Sequence, residues 1–410
     1  LHGTEAVEST EAGLPKPAAL SRVPRVAFLA DSFHEVNGAA RTCREFAAFA
    51  KRRDYPFFSV RFGGREFFSS DGPFWTMEMT RGPISAGVDP DLRFDLTFFR
   101  FGKRLEERLR QFAPDLIHVI GPGELGILGA IAAWRLQIPL VVAWHTNVHE
   151  YAARRLPFGG PELRERVQEF VLSQILRLYQ RGALLLAPSP ELVELLNRRT
   201  GKTARLMRRG VDAAAFSPEH RRRADSTFVI GYVGRLMPEK GVRFFARLER
   251  RLENAGARDF RIFIAGWGSQ ERWLRKNLRK AEFHGILDPE SLGRAYANMD
   301  LFVFPSCTDT FGNVVQEALA SGVPALITDS GGPKTIVEHG ITGLIASSEE
   351  EMCQHVLRLM RNPAERMAMG AAGRAKMLTR NWDEVFSEVY RGYAACFDGG
   401  NAATGGIPAR

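Results

Sequence analysis

Short apolar runs of strand length alternate with amphipathic stretches of helical length along most of the chain. In the first half the runs are RVAFLA (25–30), LIHVI (116–120), PLVVAW (139–144), ALLLAPS (183–189) and ARLMR (204–208). In the second half they are FVIGYVG (228–234), FRIFIAG (260–266), LFVFPS (301–306), PALIT (324–328) and GLIA (343–346). Continuous apolar strands between helices predict parallel sheets covered on both faces, since a half-solvated sheet would alternate apolar and polar positions. The pattern runs twice, and the polar stretch VDAAAFSPEHRRRADST (211–227) separates the two runs. The expected fold is therefore α/β: two Rossmann-like doubly wound domains facing each other across a cleft. Ligands in such folds bind at the carboxyl ends of the strands. The expected boundaries are a loose lead-in at 1–24, a first domain at 25–210, a linker at 211–227 and a second domain at 228–380. A returning helix at 381–397 and a flexible tail at 398–410 complete the chain.

Two stretches depart from the alternation. Residues 55–75 (YPFFSVRFGGREFFSSDGPFW) and 92–101 (LRFDLTFFRF) are dense in Phe with interspersed Arg. They read as strands and core, or as an apolar, basic-edged surface for a lipid or glycan acceptor. PELRERVQEFVLSQILRLYQRG (161–182) is an amphipathic helix that packs on its own sheet or touches an anionic membrane.

Composition narrows the class. A chain of 410 residues exceeds one ordinary core, and 45% hydrophobic with 25% charged residues is a globular balance. No apolar run approaches the roughly 20 residues of a membrane span, and the first 24 residues lack an apolar signal core. Cys43, Cys307, Cys353 and Cys396 are far apart, form no metal or redox pair, and fit a reducing, cytoplasmic compartment. The net charge of +9 is an Arg-rich solvated surface or an attraction to nucleotide phosphates or acidic lipid. No basic run interleaves with aromatics, and no zinc or helix-turn-helix signature occurs, so nucleic acid is not an expected partner.

Four constellations carry candidate chemistry. After the first strand, Asn37-Gly38-Ala39-Ala40 opens an amphipathic helix, a place where backbone N–H groups and the helix dipole favour phosphate. After VIGYV, the loop GRLMPEKGV carries Arg235, a bidentate fork for phosphate, and Lys240, a mobile point charge. After LFVFPS, Asp309 stands in a loop and Glu317 about one turn into a helix that begins near Gly312 or Asn313. Carboxylates at those places suit the vicinal hydroxyls of a ribose or hexose, with the N–H groups of Phe311, Gly312, Asn313 and Val314 beside them. Finally, AWHTNVHEY places His145 at a strand end. It reads as a substrate contact, a proton-handling group or a structural histidine. His145, His149 and Glu150 together have metal-ligand spacing, without a further ligand cluster.

GYVGRLMPEKGV, IFIAGWGSQ, VFPSCTDTFGNVVQEALASGVPAL and GGPKTIVEHGITGLIA, in this order, resemble the nucleotide-sugar-binding domain of retaining glycosyltransferases of family four, which have the GT-B architecture. HEVNGAARTCREFA and AWHTNVHEY resemble the matching parts of the acceptor domain, and the similarity spans 25–397. The resemblance implies that Arg235 and Lys240 hold the donor diphosphate, Glu317 the ribose and Asp309 the transferred sugar. Backbone groups at Phe311, Gly312, Asn313 and Val314 would touch that sugar or its phosphate. Gly38 would close over the phosphates, His145 would reach a distal hydroxyl, and the strand-end Gly234 and Gly266 would border the donor. Asp309 stands where most of the family has Glu, as in a subgroup acting on lipid-linked acceptors that includes GDP-mannose-dependent mannosyltransferases and sulfolipid synthase. The implied activity is retaining hexosyl transfer from a GDP-mannose- or UDP-glucose-type donor to a lipid or lipid-linked glycan, with no metal or cofactor and a possible anionic membrane surface as partner. The competing readings are a sugar-nucleotide epimerase or hydrolase of the same fold, and a non-catalytic sugar-nucleotide-binding protein.

Overall fold

The computed structural model describes residues 22–35, 37–82, 84–89, 92–149 and 160–398. The first sheet contains β1 (Val26–Ala30), β2 (Phe57–Phe62), β3 (Phe67–Asp71) and β4 (Phe74–Met79). A separate antiparallel pair, β5 (Ser85–Asp89) and β6 (Leu92–Asp95), follows. The first sheet then resumes with β7 (Leu116–Ile120), β8 (Leu140–Ala143), β9 (Leu184–Ala187) and β10 (Ala204–Leu206). Its order is β10-β9-β8-β7-β1-β2-β4-β3, parallel except for β3. The central strands β1, β7, β8 and β9 are buried at every position, as continuous apolar runs require. The edge strand β3 instead exposes Ser69, Ser70 and Asp71, which discourages pairing with another chain.

The second sheet contains β11 (Phe228–Val233), β12 (Phe260–Ala265), β13 (Ala281–Phe283), β14 (Leu301–Phe304), β15 (Ala325–Thr328) and β16 (Gly343–Ala346). Its order is β13-β12-β11-β14-β15-β16, all parallel. The order reverses at β11/β14, which is where a doubly wound sheet opens a crevice for ligand.

The two Phe-rich stretches form structure beyond the ten predicted strands. Residues 55–75 supply β2, β3 and the start of β4; residues 92–101 supply β6 and a 3-10 turn at Phe98–Phe101. Phe57, Phe58, Phe62, Phe98 and Phe101 are core, whereas Ile84, Leu96 and Phe99 are exposed (59%, 61% and 61%); nearby in the chain, Arg100 pairs with Asp95 and Arg104 with Glu66. The helix Pro161–Tyr179 divides similarly: Leu172, Ile175, Leu176 and Tyr179 are buried and Phe170 is exposed.

The last helix, Trp382–Asp398, lies against the first sheet. Trp382, Phe386, Val389, Tyr390 and Tyr393 join a core with Phe28, Phe46, Phe49 and Phe57, with Phe46 and Phe386 stacked at 4.5 Å. The chain thus passes between the sheets at two places. These run side by side: Val211 N–H donates to the Arg380 carbonyl at 2.9 Å, and Gly210 leaves no room for a Cβ beside the Trp382 backbone. Among the described residues no helix is long and apolar enough to cross a membrane.

Candidate active site

The carboxyl end of β11 leads into Gly234 and Arg235, then through a 3-10 turn, Pro238–Lys240. Gly241 ends that turn at φ +67, and a Cβ there would lie 2.3 Å from the Pro305 carbonyl oxygen. Only glycine meets both demands, so the loop closes tightly on the end of β14. That approach buries Lys240 and brings its Nζ to 2.8 Å from both oxygens of Asp309. Arg235 lies alongside, with its guanidinium 3.8 Å from Glu239 and its carbonyl accepting from Tyr232 OH at 2.9 Å. Gly234 and Gly266, the strand-end residues of β11 and β12, meet back to back: a Cβ on Gly266 would strike the Gly234 carbonyl.

The helix after β14, Asn313–Ala320, begins at Gly312. Gly312 has φ +96, no side chain caps the helix, and no acid stands in its first turn. An uncapped N-terminus keeps its orphan N–H groups and positive dipole end available to an anion. Phe311 turns its ring into the core and leaves only its backbone at the site. One turn further, Glu317 is 5% exposed; its Oε2 accepts from Tyr296 OH at 2.8 Å, and its Oε1 accepts from Arg41 Nη1. Burial raises the Glu317 carboxyl, against the Arg41 charge, which lowers it.

The facing wall belongs to the first sheet. The helix Gly38–Arg52 starts at a turn one of whose donors is already used: Asn37 Oδ1 accepts from Ala40 N–H at 2.8 Å. Asn37 thus caps this helix start through that one donor. Gly38 is still at the seam: its carbonyl is 3.4 Å from Asn313 Nδ2, and a Cβ would come to 2.9 Å from the same atom. His145 follows β8, is buried, and its carbonyl accepts from Thr310 Oγ1 at 3.0 Å. Its Nδ1 is 3.0 Å from Arg209 Nη2, and burial, aided by the Arg209 charge, holds the ring well below the usual histidine range. That lowering favours the neutral ring and weighs against His145 as a proton carrier that charges near neutral pH. Of the residues with metal-ligand spacing, Glu150 lies outside the described residues; among those described no three candidate ligands cluster.

The structure thus brings Gly38, His145, Arg235, Lys240, Asp309, Asn313 and Glu317 to one seam. Lys240 is paired with Asp309, and Glu317 with Arg41. Sequence reasoning missed three contributors. Arg41 and Tyr296 lie within helices and Arg209 between β10 and the linker, and none carries a motif of its own. Outside those contacts, and also unflagged by the sequence, Asp31 follows β1 and is buried, with Oδ1 accepting from Leu125 N–H at 2.7 Å and Oδ2 without a partner. Burial, then the nearby Glu124 charge, raises Asp31 to about 7.

Two facing doubly wound sheets, with cations, carboxylates and an uncapped helix start at their strand ends, define a glycosyltransferase of the GT-B class. Residues 36–215 match the model described as Glycosyltransferase Family 4, and residues 227–362 the one described as Glycosyl transferases group 1. The chain is 35% identical over 294 residues (70% of this chain, 75% of the relative) to a GDP-mannose-dependent alpha-mannosyltransferase of Mycolicibacterium smegmatis. It is 28% identical over 385 residues (91% and 89%) to one of Corynebacterium glutamicum. The sucrose-phosphate synthase of Thermosynechococcus elongatus shares the fold, with TM-score 0.72 at 18% identity, covering 91% of this chain and 99% of that one. The chain belongs to glycosyltransferase family four.

Proposed function

We propose that this enzyme is a retaining hexosyltransferase whose donor is GDP-mannose and whose acceptor is a hydroxyl of a membrane lipid or lipid-linked glycan. The observation that carries the reading is the grouping of Lys240, Asp309, the uncapped helix start at Gly312 and the buried Glu317 along one strand-end line. The donor base follows the names of the mannosyltransferase relatives. Arg235, Lys240 and the helix N-terminus would face the diphosphate, Glu317 the ribose diol, and Asp309 with His145 the hexose.

As the glycosidic bond breaks, negative charge grows on the departing diphosphate. Fixed cations and N–H dipoles stabilise that charge more than they stabilise the intact donor, which lowers the barrier. The acceptor hydroxyl attacks from the same face, and its proton passes to the leaving phosphate oxygen, so no side-chain base is required. The positive charge comes from Arg235, Lys240 and the helix dipole, so the reading calls for no metal.

Support for a lipid acceptor is the exposed apolar group Ile84, Leu96 and Phe99, with Arg100 next to Phe99 in the chain, which suits a bilayer interface. Incubation with GDP-mannose and a total polar lipid extract tests both halves. The expected result is lipid-dependent GDP release with an α-anomeric signal in the new glycolipid by proton NMR. A β signal, or GDP release that ignores lipid, would count against it. Co-sedimentation with phosphatidylglycerol vesicles at low salt tests the surface, and its absence would remove the membrane part.

A further inference from the structure

Arg209 is a buried cation at the seam, 3% exposed, with no carboxylate among its recorded partners. Its Nη2 is 3.0 Å from His145 Nδ1, and its Nη1 has no hydrogen-bond partner. Its carbonyl accepts from Gln316 Nε2 at 3.2 Å, next to Glu317. His145 is tied in the same way, its carbonyl to Thr310, next to Asp309. The backbones of both members are therefore tied to the second domain, at the residues flanking both site carboxylates.

A guanidinium has five N–H donors and no acceptor. An imidazole nitrogen that meets one must present its lone pair, so the ring proton sits on the other nitrogen. His145 Nε2 is that nitrogen, and it is buried without a partner. The groups around it reinforce the neutral ring. Arg209 is lowered by burial to about 10 and stays cationic. His118 of β7 is lowered by burial to about 3 and holds Tyr393 OH at 2.6 Å through Nδ1. Cys43, from the helix Gly38–Arg52, neighbours Arg209, is pushed by burial up to about 12 and remains a thiol. None of these recorded neighbours is a carboxylate that would favour the imidazolium.

We propose that Arg209 is a positioning residue that fixes His145 as the Nε2–H tautomer, so that His145 serves the reaction as a neutral hydrogen-bond donor to an oxygen of the transferred sugar. The proposal rests on the glycosyl-transfer reading for the role of His145 but not for its tautomer. A donor fixed before substrate arrives costs no reorganisation during reaction, and its loss or misplacement lowers turnover more than affinity.

The test has two arms. In the first, 15N-histidine-labelled protein without substrate is examined by long-range 1H–15N correlation, with the His145 signals identified by their absence in His145→Gln. Wild type and Arg209→Lys are expected to show the Nε2–H pattern, since lysine also only donates, and Arg209→Met a mixture with Nδ1–H. An unchanged Nε2–H pattern in Arg209→Met overturns the proposal, whatever the enzyme's activity.

The second arm measures lipid-dependent GDP release from GDP-mannose. Arg209→Met is expected to lower kcat by about 10- to 100-fold with little change in donor KM, and Arg209→Lys by less. In the His145→Gln background, Arg209→Met should cost less than about 3-fold more, because a residue that acts through His145 has nothing left to position. Full multiplication of the two losses would show that Arg209 acts elsewhere. If no transfer occurs at all while the first arm holds, the functional reading fails and the tautomer assignment stands.

Discussion

Lys240→Ala is the sharpest probe of how the site treats charge. The Lys240 Nζ is buried and 2.8 Å from each Asp309 oxygen, so its position is fixed before donor arrives. A unit charge about 4 Å from the leaving oxygen, at an effective dielectric of about 20, is worth ~4 kcal/mol. Part of that attraction already acts on the ground-state diphosphate and does not reduce the barrier. Removing one preorganised donor typically costs ~3–4 kcal/mol, and the expected loss is accordingly about 10²- to 10³-fold in kcat. The lost ion pair adds to this, since Asp309 then presents an unneutralised carboxylate beside the diphosphate. Steady-state GDP release at saturating GDP-mannose measures the loss, with His149→Ala as the control. His149 is also buried, but it lies beside Trp144, at 5.6 Å between ring centroids. Comparable losses in the two variants would refute the reasoning. So would a Lys240→Ala enzyme with raised donor KM and unchanged kcat, because Lys240 would then bind ground and transition states equally.

Arg41→Ala strips the fully buried Glu317 of its cationic partner and should lower unfolding stability by about 1–3 kcal/mol, less in the Glu317→Gln background; urea unfolding of the four proteins in a double-mutant cycle should give a coupling above about 1 kcal/mol, and additivity would deny the clasp. Asp31 is raised to about 7, so its folded form binds a proton more tightly than its unfolded form. Its stabilising contribution is complete below about 4 and fades as pH rises through 7. Asp31→Asn should therefore gain stability relative to wild type between pH 5 and pH 8, and parallel pH profiles would contradict this. Exhaustive treatment with EDTA should leave turnover unchanged; its abolition would mean that side-chain cations and the helix start do not suffice.

Much of the fold was legible because its central strands are buried on both faces and read as apolar runs, VAFLA and LLLA being the plainest. Strands away from the sheet centres were less so. β2 and β4, FFSVRF and FWTMEM, mix polar and apolar positions, and β13 has three residues at a sheet margin, AEF. The site residues that carry motifs, Arg235, Lys240, Asp309 and Glu317, could be named because each stands at a strand end or helix start. Their pairing could not. Lys240 and Asp309 are 69 positions apart, and Arg41 and Glu317 276 apart, so only the closed fold shows that each cation meets a carboxylate. Nor could the capping of the first helix by Asn37, since Asn before Gly fits both an open anion turn and a capped helix.

Ligand-induced stabilisation tests the central claim most directly, because it needs no acceptor. Wild type, Lys240→Ala and Glu317→Gln would be melted with GDP-mannose, UDP-glucose and ADP-glucose. A donor at 100 times its Kd adds ~2.7 kcal/mol, or roughly 5–10 °C in Tm for a domain of this size. The account predicts a shift of that order with GDP-mannose on wild type, smaller shifts with the other two, and a reduced GDP-mannose shift in both variants. No shift with any nucleotide sugar, or equal shifts in wild type and variants, would contradict it.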